Sequence, residues 1–215
     1  MKMELLQEIC KIGALVHRQG FVAANDGNIS ARMNKDSFLI TPTRVSKGEL
    51  TPEIIVTVYP DRYEGAMKPS SEYKMHRSIY EVRQDIRAVI HVHSPYATAY
   101  AMIGQGMDEL LFPEVVVTLG KIPLVPYRTP STQEFAELVG EYSGEADALL
   151  LERHGVVTLG TDLMDAYYKL ERVEHVFKIM SIVHRIGSVK PLSGQEISEL
   201  IQAFNVSDRI KKHIN

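Results

Sequence analysis

From Met3 to Gln19 apolar residues recur at three- and four-residue steps, at Leu5, Leu6, Ile9, Ile12 and Val16, and the run stops at Gly20. That spacing predicts an amphipathic helix closed by a glycine just past its end. Three shorter segments rich in Val, Ile, Phe and Thr follow: Ile29 to Met33, Ser37 to Thr41 and Ile54 to Tyr59. They read as strands, with Asn34-Lys35-Asp36 and Thr41-Pro42-Thr43 as the turns between them, and connections that short force antiparallel pairing. Ser70-Ser71-Glu72, after Pro69, opens a helix through about Val82, with Ser70 or Ser71 as its N-cap and Glu72 in its first turn. Arg87 to His93 is a β-rich run ended by Pro95, which starts a helix over Tyr96 to Ile103. Ile122 to Val125 is a brief strand, Ser131 caps a helix to about Tyr142, and Ala146 to Glu152 reads as a buried strand. The longest helix, capped by Thr161 or Asp162, runs to Ile186 before Gly187, and a last one covers Gln195 to Phe204.

No linker rich in Pro, Gly or Ser divides residues 1–215, and no period repeats, so one α/β domain is expected, its sheet mixed and its later strands alternating with helices on the faces. With 45% apolar and 24% charged residues in 215, the chain has the composition of an ordinary globular protein. A net charge of −3, with no basic run beyond Lys211-Lys212, speaks against a nucleic-acid partner. No stretch approaches the ~20 apolar residues of a membrane span, and Met1-Lys2-Met3-Glu4 lacks a signal-peptide profile, so a cytoplasmic protein away from membranes is expected. Cys10 alone forms no intrachain disulfide.

Eight histidines are the unexplained count. On a strand, side chains alternate with period two, so His91 and His93 point to one face a few ångströms apart, a geometry suited to two metal ligands and equally common in incidental pairs. His154 ends the run Leu149-Leu150-Leu151-Glu152-Arg153, at a strand end where loops build sites. Glu72 at a helix start serves the helix dipole, or stands beside free backbone N–H groups and two hydroxyls that suit an anion. Asn25-Asp26-Gly27-Asn28 is a turn with Gly27 at positive φ.

Asn25-Asp26-Gly27-Asn28-Ile29-Ser30, Ile40-Thr41-Pro42-Thr43, Lys68-Pro69-Ser70-Ser71-Glu72, Val89-Ile90-His91-Val92-His93-Ser94 and Glu152-Arg153-His154-Gly155 occur in the order and approximate spacing of the class II aldolase/adducin family. The resemblance covers nearly the whole chain. It implies a single αβα domain around a largely antiparallel sheet, and commonly a homotetramer with its active site at a subunit interface. It implies that His91, His93 and His154 bind Zn²⁺, one per subunit, with Glu72 a fourth ligand or the adjacent acid/base. It also implies that Asn25, Gly27, Asn28, Thr43, Ser70 and Ser71 bind the phosphate of a sugar-phosphate substrate. The activity implied is cleavage of a deoxyketose 1-phosphate, L-fuculose 1-phosphate first, into dihydroxyacetone phosphate and a small aldehyde such as lactaldehyde. Breaking that bond leaves negative charge on an enediolate, which a Lewis-acidic metal holds in the absence of a Schiff-base lysine. The family's epimerases of ribulose 5-phosphate carry Asp where Glu72 stands; its dehydratases and decarboxylases share the histidines, and adducin-like interaction domains lack them.

The chain also departs from the aldolase pattern. Arg44 stands where a glycine is usual, either contacting phosphate or lying exposed over apolar surface. No tyrosine occurs in Leu111-Phe112-Pro113-Glu114 or Phe204-Asn205-Val206-Ser207, where such enzymes carry loop and C-terminal tyrosines, which leaves Tyr96, Tyr100 or Tyr127 as substitutes. His76, four residues after Glu72 on one helix face, either orients that carboxylate or makes a surface contact. His17, His175, His184 and His213 have no metal-ligand partner at suitable spacing.

Overall fold

The computed structural model describes residues 2–214, without the side chains of Arg209, His213 and Ile214. In chain order its elements are α1 (Lys2–Arg18), β1 (Asn28–Arg32), β2 (Phe38–Ile40), β3 (Val56–Val58), β4 (Tyr63–Glu64), α2 (Tyr73–Val82), β5 (Ala88–Val92) and α3 (Pro95–Met102). There follow α4 (Pro113–Thr118), β6 (Leu124–Val125), α5 (Gln133–Ser143), β7 (Ala148–Leu151), β8 (Gly155–Gly160), α6 (Leu163–Ile186), α7 (Gly194–Ala203) and α8 (Asp208–Ile214). The strands form one sheet in the order β4-β3-β2-β1-β5-β8-β7-β6, antiparallel throughout except for the β6–β7 pair.

Period-two alternation gives the sheet two buried faces. Ile29, Ala31, Ile90, Val92, Leu150 and Val156 face α1, α3 and α6, whose Ile9, Ile12, Val173 and Phe177 fill that side. Phe38, Val56, Val89, Leu149, Val157 and Leu159 face α2 and α5, which pack on each other through Met75, Ile79, Phe135 and Val139. This is the expected αβα sandwich with a largely antiparallel sheet.

The first helix ends as its sequence predicts: Gly20 takes φ +70°, and Phe21 N donates to Val16 O while Gly20 N donates to His17 O, pairing two carbonyls the helix leaves open. Three expectations are corrected. The connection after β2 is no short turn but residues 41–55, with two single-turn helices at Lys47–Glu49 and Pro52–Ile54. The N-cap of α2 is Glu72 itself, with Ser70 Oγ accepting from Glu72 N at 3.3 Å. The N-cap of α5 is Thr132, whose hydroxyl accepts from Phe135 N, because Ser131 sits at φ +66° in the preceding turn. In addition, residues 155–160, unassigned by periodicity, form β8 between β5 and β7.

Candidate active site

The site lies where β5 ends and three loops meet it. His91 projects from β5 toward α2, and His93 follows just past the strand end. The chain then turns into α3, whose first backbone N–H groups, at Tyr96 and Ala97, donate to the buried carboxylate of Glu174 at 2.9 Å each. That cap fixes the exit of the chain after His93. His154 closes the tight turn between β7 and β8, where Arg153 takes φ +58°. Gly155, directly after it, is needed for space: a Cβ there would lie 2.4 Å from Val92 O and 2.8 Å from His93 Cδ2.

These turns bring the three imidazoles together, with ring centroids 4.7–5.1 Å apart. One ring nitrogen from each lies within 4.8 Å of the others. Among the described residues this is the group of His, Cys, Asp and Glu arranged to hold a metal. His91 Nδ1 donates to Val156 O at 3.0 Å, which fixes its tautomer and leaves Nε2 a lone pair. His91 Nε2 and His93 Nε2 are both buried without a hydrogen-bond partner, as metal-directed nitrogens would be. His93 Nδ1 lies 3.4 Å from Asp26 Oδ2, a partner the sequence did not single out. The set of three imidazoles with a carboxylate alongside fits a divalent metal with an open position.

Glu72 forgoes the capping bond its position allows and turns its carboxylate to the histidines. Oε2 accepts from Asn28 Nδ2 at 2.9 Å and lies 3.2 Å from His91 Nε2, and Oε1 lies 3.5 Å from His154 Nε2. Burial alone would raise the Glu72 pKa, but His91, His154 and Asn28 override it and hold the carboxyl well below the usual carboxylate range. Burial lowers His154 to about 3, helped by the neighbouring His91, and it lowers His93 in the same direction. For His91 burial acts the same way, but Glu72 outweighs it and the pKa rises.

The segments assigned to phosphate converge on the same corner. Pro42 bridges Pro69, Ser70 N donates to Thr41 O, and Thr43 N donates to Lys68 O. Buried Lys47 donates to Asn25 O at 3.0 Å and Val45 O at 2.6 Å, tying the first loop to the second, and burial lowers its pKa to about 8 against the pull of Asp26. Gly27 takes φ +76°, and a Cβ on it would lie 2.8 Å from Val22 Cγ1 and 2.9 Å from His91 O. Asn25 and Ser71 are exposed, Thr43 is half-buried and Ser70 buried. Asn28 is 3% exposed, and its side-chain amide is engaged by Glu72 and His76. Arg44 is exposed at φ +62°. Of the alternative tyrosines, Tyr100 is buried against His184 Nδ1 at 3.0 Å, whereas Tyr127 is exposed beneath the Arg153 guanidinium on the turn that carries His154.

The chain belongs to the family described as Class II Aldolase and Adducin N-terminal domain, whose model matches residues 7–181. It is 35% identical over 209 residues to 3-oxo-tetronate 4-phosphate decarboxylase of Cupriavidus necator, covering 94% of this chain and 96% of that one. It is also 35% identical over 182 residues to L-fuculose phosphate aldolase of Methanococcus maripaludis, covering 85% and 98%. A solved L-fuculose 1-phosphate aldolase superposes with a TM-score of 0.85 at 28% identity, over 94% of this chain and 96% of the other. The family's class II aldolases are metal-dependent lyases, and the His91, His93 and His154 cluster could hold such a metal in this chain.

Proposed function

We propose that the protein is a Zn²⁺-dependent aldolase that cleaves a deoxyketose 1-phosphate, L-fuculose 1-phosphate first, into dihydroxyacetone phosphate and a small aldehyde. The observation that carries this reading is the convergence of Glu72 with three imidazoles, each of which holds one buried ring nitrogen without a hydrogen-bond partner. His91, His93 and His154 would hold the zinc ion, which would supply the Lewis acid for the negative charge left when the carbon–carbon bond breaks. Glu72, ionised, accepts the hydroxyl proton of the carbon that leaves as the aldehyde and returns it to the carbon of the enediolate that stays behind. Asn25, Gly27, Thr43, Ser70 and Ser71 bind the phosphate with backbone amides and hydroxyls, while Asn28 supports Glu72 beside them. Binding that remote group orients the reacting bond, so these contacts affect turnover as well as affinity. A homotetramer whose neighbouring subunit completes the pocket follows from the family resemblance, with Tyr127 as the acid in place of the missing loop tyrosine.

A second reading has a specific basis, because the decarboxylase relative is as similar as the aldolase and aligns over more of this chain. Loss of carbon dioxide from a 3-oxo acid also leaves charge beside a carbonyl, so the same metal and phosphate positions would serve. A panel of L-fuculose 1-phosphate, L-rhamnulose 1-phosphate, 5-deoxyribulose 1-phosphate, L-ribulose 5-phosphate and 3-oxo-tetronate 4-phosphate separates the two. Triose phosphate released together with an aldehyde from one of the three ketose 1-phosphates supports the aldolase, since decarboxylation of the last compound also leaves a triose phosphate. Carbon dioxide from the last compound alone, or epimerisation of the fourth alone, overturns it.

A further inference from the structure

The strand β1 reads Asn28-Ile29-Ser30-Ala31-Arg32, and all five residues are buried. Ile29 and Ala31 fill the α1 side of the sheet. Asn28, Ser30 and Arg32 therefore lie under α2, where apolar residues would be expected. Each meets a residue from the start, middle or end of that helix: Asn28 meets Glu72 and His76, Ser30 meets His76 and Tyr80, and Arg32 donates to Tyr80 O and Arg83 O. The lengths agree, since four helical residues rise about 6 Å and two strand residues about 6.6 Å.

The hydrogen bonds of this ladder have one consistent direction. Asn28 Nδ2 donates to the Glu72 carboxylate, so Asn28 Oδ1 is the atom that faces His76 Nε2, at 2.5 Å, and Nε2 carries the proton. His76 is fully buried and its two ring nitrogens face neutral groups, Asn28 Oδ1 and Ser30 Oγ, so the ring is neutral and Nδ1 is an acceptor. Ser30 Oγ, 2.6 Å away, must then donate to Nδ1 and in turn accept from Tyr80 OH at 2.8 Å. Burial keeps the Tyr80 hydroxyl protonated. Every donor in the run Tyr80, Ser30, His76, Asn28 thus points toward Glu72, an arrangement in which each bond polarises the next.

We propose that His76, Ser30 and Tyr80 are positioning residues that act through Asn28 to hold Glu72 Oε2 as an acceptor and to present Oε1 toward His154 and the metal. The proposal rests on Glu72 having the role given above. Reversal of the His76–Asn28 link would turn the Asn28 amide and set its oxygen against the carboxylate.

The imidazole ¹⁵N shifts of His76 at pH 7.5 in the zinc-loaded wild-type protein test the direction without any variant. The neutral Nε2–H tautomer is expected; an Nδ1–H tautomer or an imidazolium overturns the proposal. His76→Leu and His76→Gln test the role. Loss of the relay in His76→Leu is expected to weaken Zn²⁺ binding, measured by chelator competition, and kcat by about 10–100-fold, with little change in KM. His76→Gln, which keeps a donor and an acceptor, is expected to recover most of both. Equal effects of the two substitutions, or no effect of His76→Leu, would overturn the proposal. A wild-type protein with the expected tautomer and zinc affinity but no lyase activity on any ketose phosphate would instead refute the substrate reading alone.

Discussion

Asn28 and His91 stand opposite each other in the β1–β5 ladder, and Glu72 reaches both with one oxygen. Its Oε2 takes a hydrogen bond from Asn28 at 2.9 Å and lies 3.2 Å from the imidazole nitrogen of His91. A fixed donor and a ligand-type nitrogen thus define one side of the carboxylate, and the other oxygen is left to the cluster. Asn28 and His91 thus present Glu72, at the start of α2, with two contacts whose spacing is set by adjacent strands at the centre of the sheet.

Replacing Glu72 with Gln keeps its shape but removes its capacity to carry a proton. Turnover is expected to fall on the order of 10²–10⁴-fold, with secondary structure by circular dichroism unchanged. Steady-state kinetics check this, and full activity would remove Glu72 from the chemistry.

Gly27 combines positive φ with close contact to His91 O. Gly27→Ala is expected to cost about 1–3 kcal/mol in urea unfolding. Because the displaced backbone adjoins Asn28, the same variant should also lose activity at temperatures where it remains folded.

His76 is neutral when buried and has a folded pKa of about 3 against an ordinary value of 6.5. Between those values the unfolded chain binds more protons, so the stability tied to the neutral ring is complete above pH 6.5 and is lost as the pH falls toward 3. The urea midpoint of metal-free protein, followed from pH 7.5 to 5, should fall more steeply in the wild type than in His76→Gln. Parallel curves would contradict a buried neutral ring.

Much of this arrangement is legible in the chain itself. The H-x-H pair lies on the predicted strand, the three- and four-residue spacing finds α1, the Asp162 cap and Gly187 bound α6, and the loop motifs fall where the site forms. What escaped detection has physical reasons. The hairpin into β8 turns through Arg153 at φ +58° in place of Asn-Gly or Gly, so no turn residue separates two apolar runs. The polar face of β1 alternates as a strand facing water would, and only packing against α2 reveals that Asn28, Ser30 and Arg32 are buried. The i,i+4 spacing sets His76 beside Glu72, but the ring is buried and makes no surface contact, and it reaches the carboxylate through Asn28, 48 positions earlier, a route that no local pattern encodes. Asp26 became visible beside His93 only once the loop was folded.

The most direct test is the metal content of protein purified without chelator, measured by inductively coupled plasma mass spectrometry for the wild type and His91→Ala side by side. About one Zn²⁺ per chain is expected in the wild type and almost none in the folded variant, as removal of one of three histidine ligands requires. Equal metal in both proteins would contradict a centre built on His91, His93 and His154.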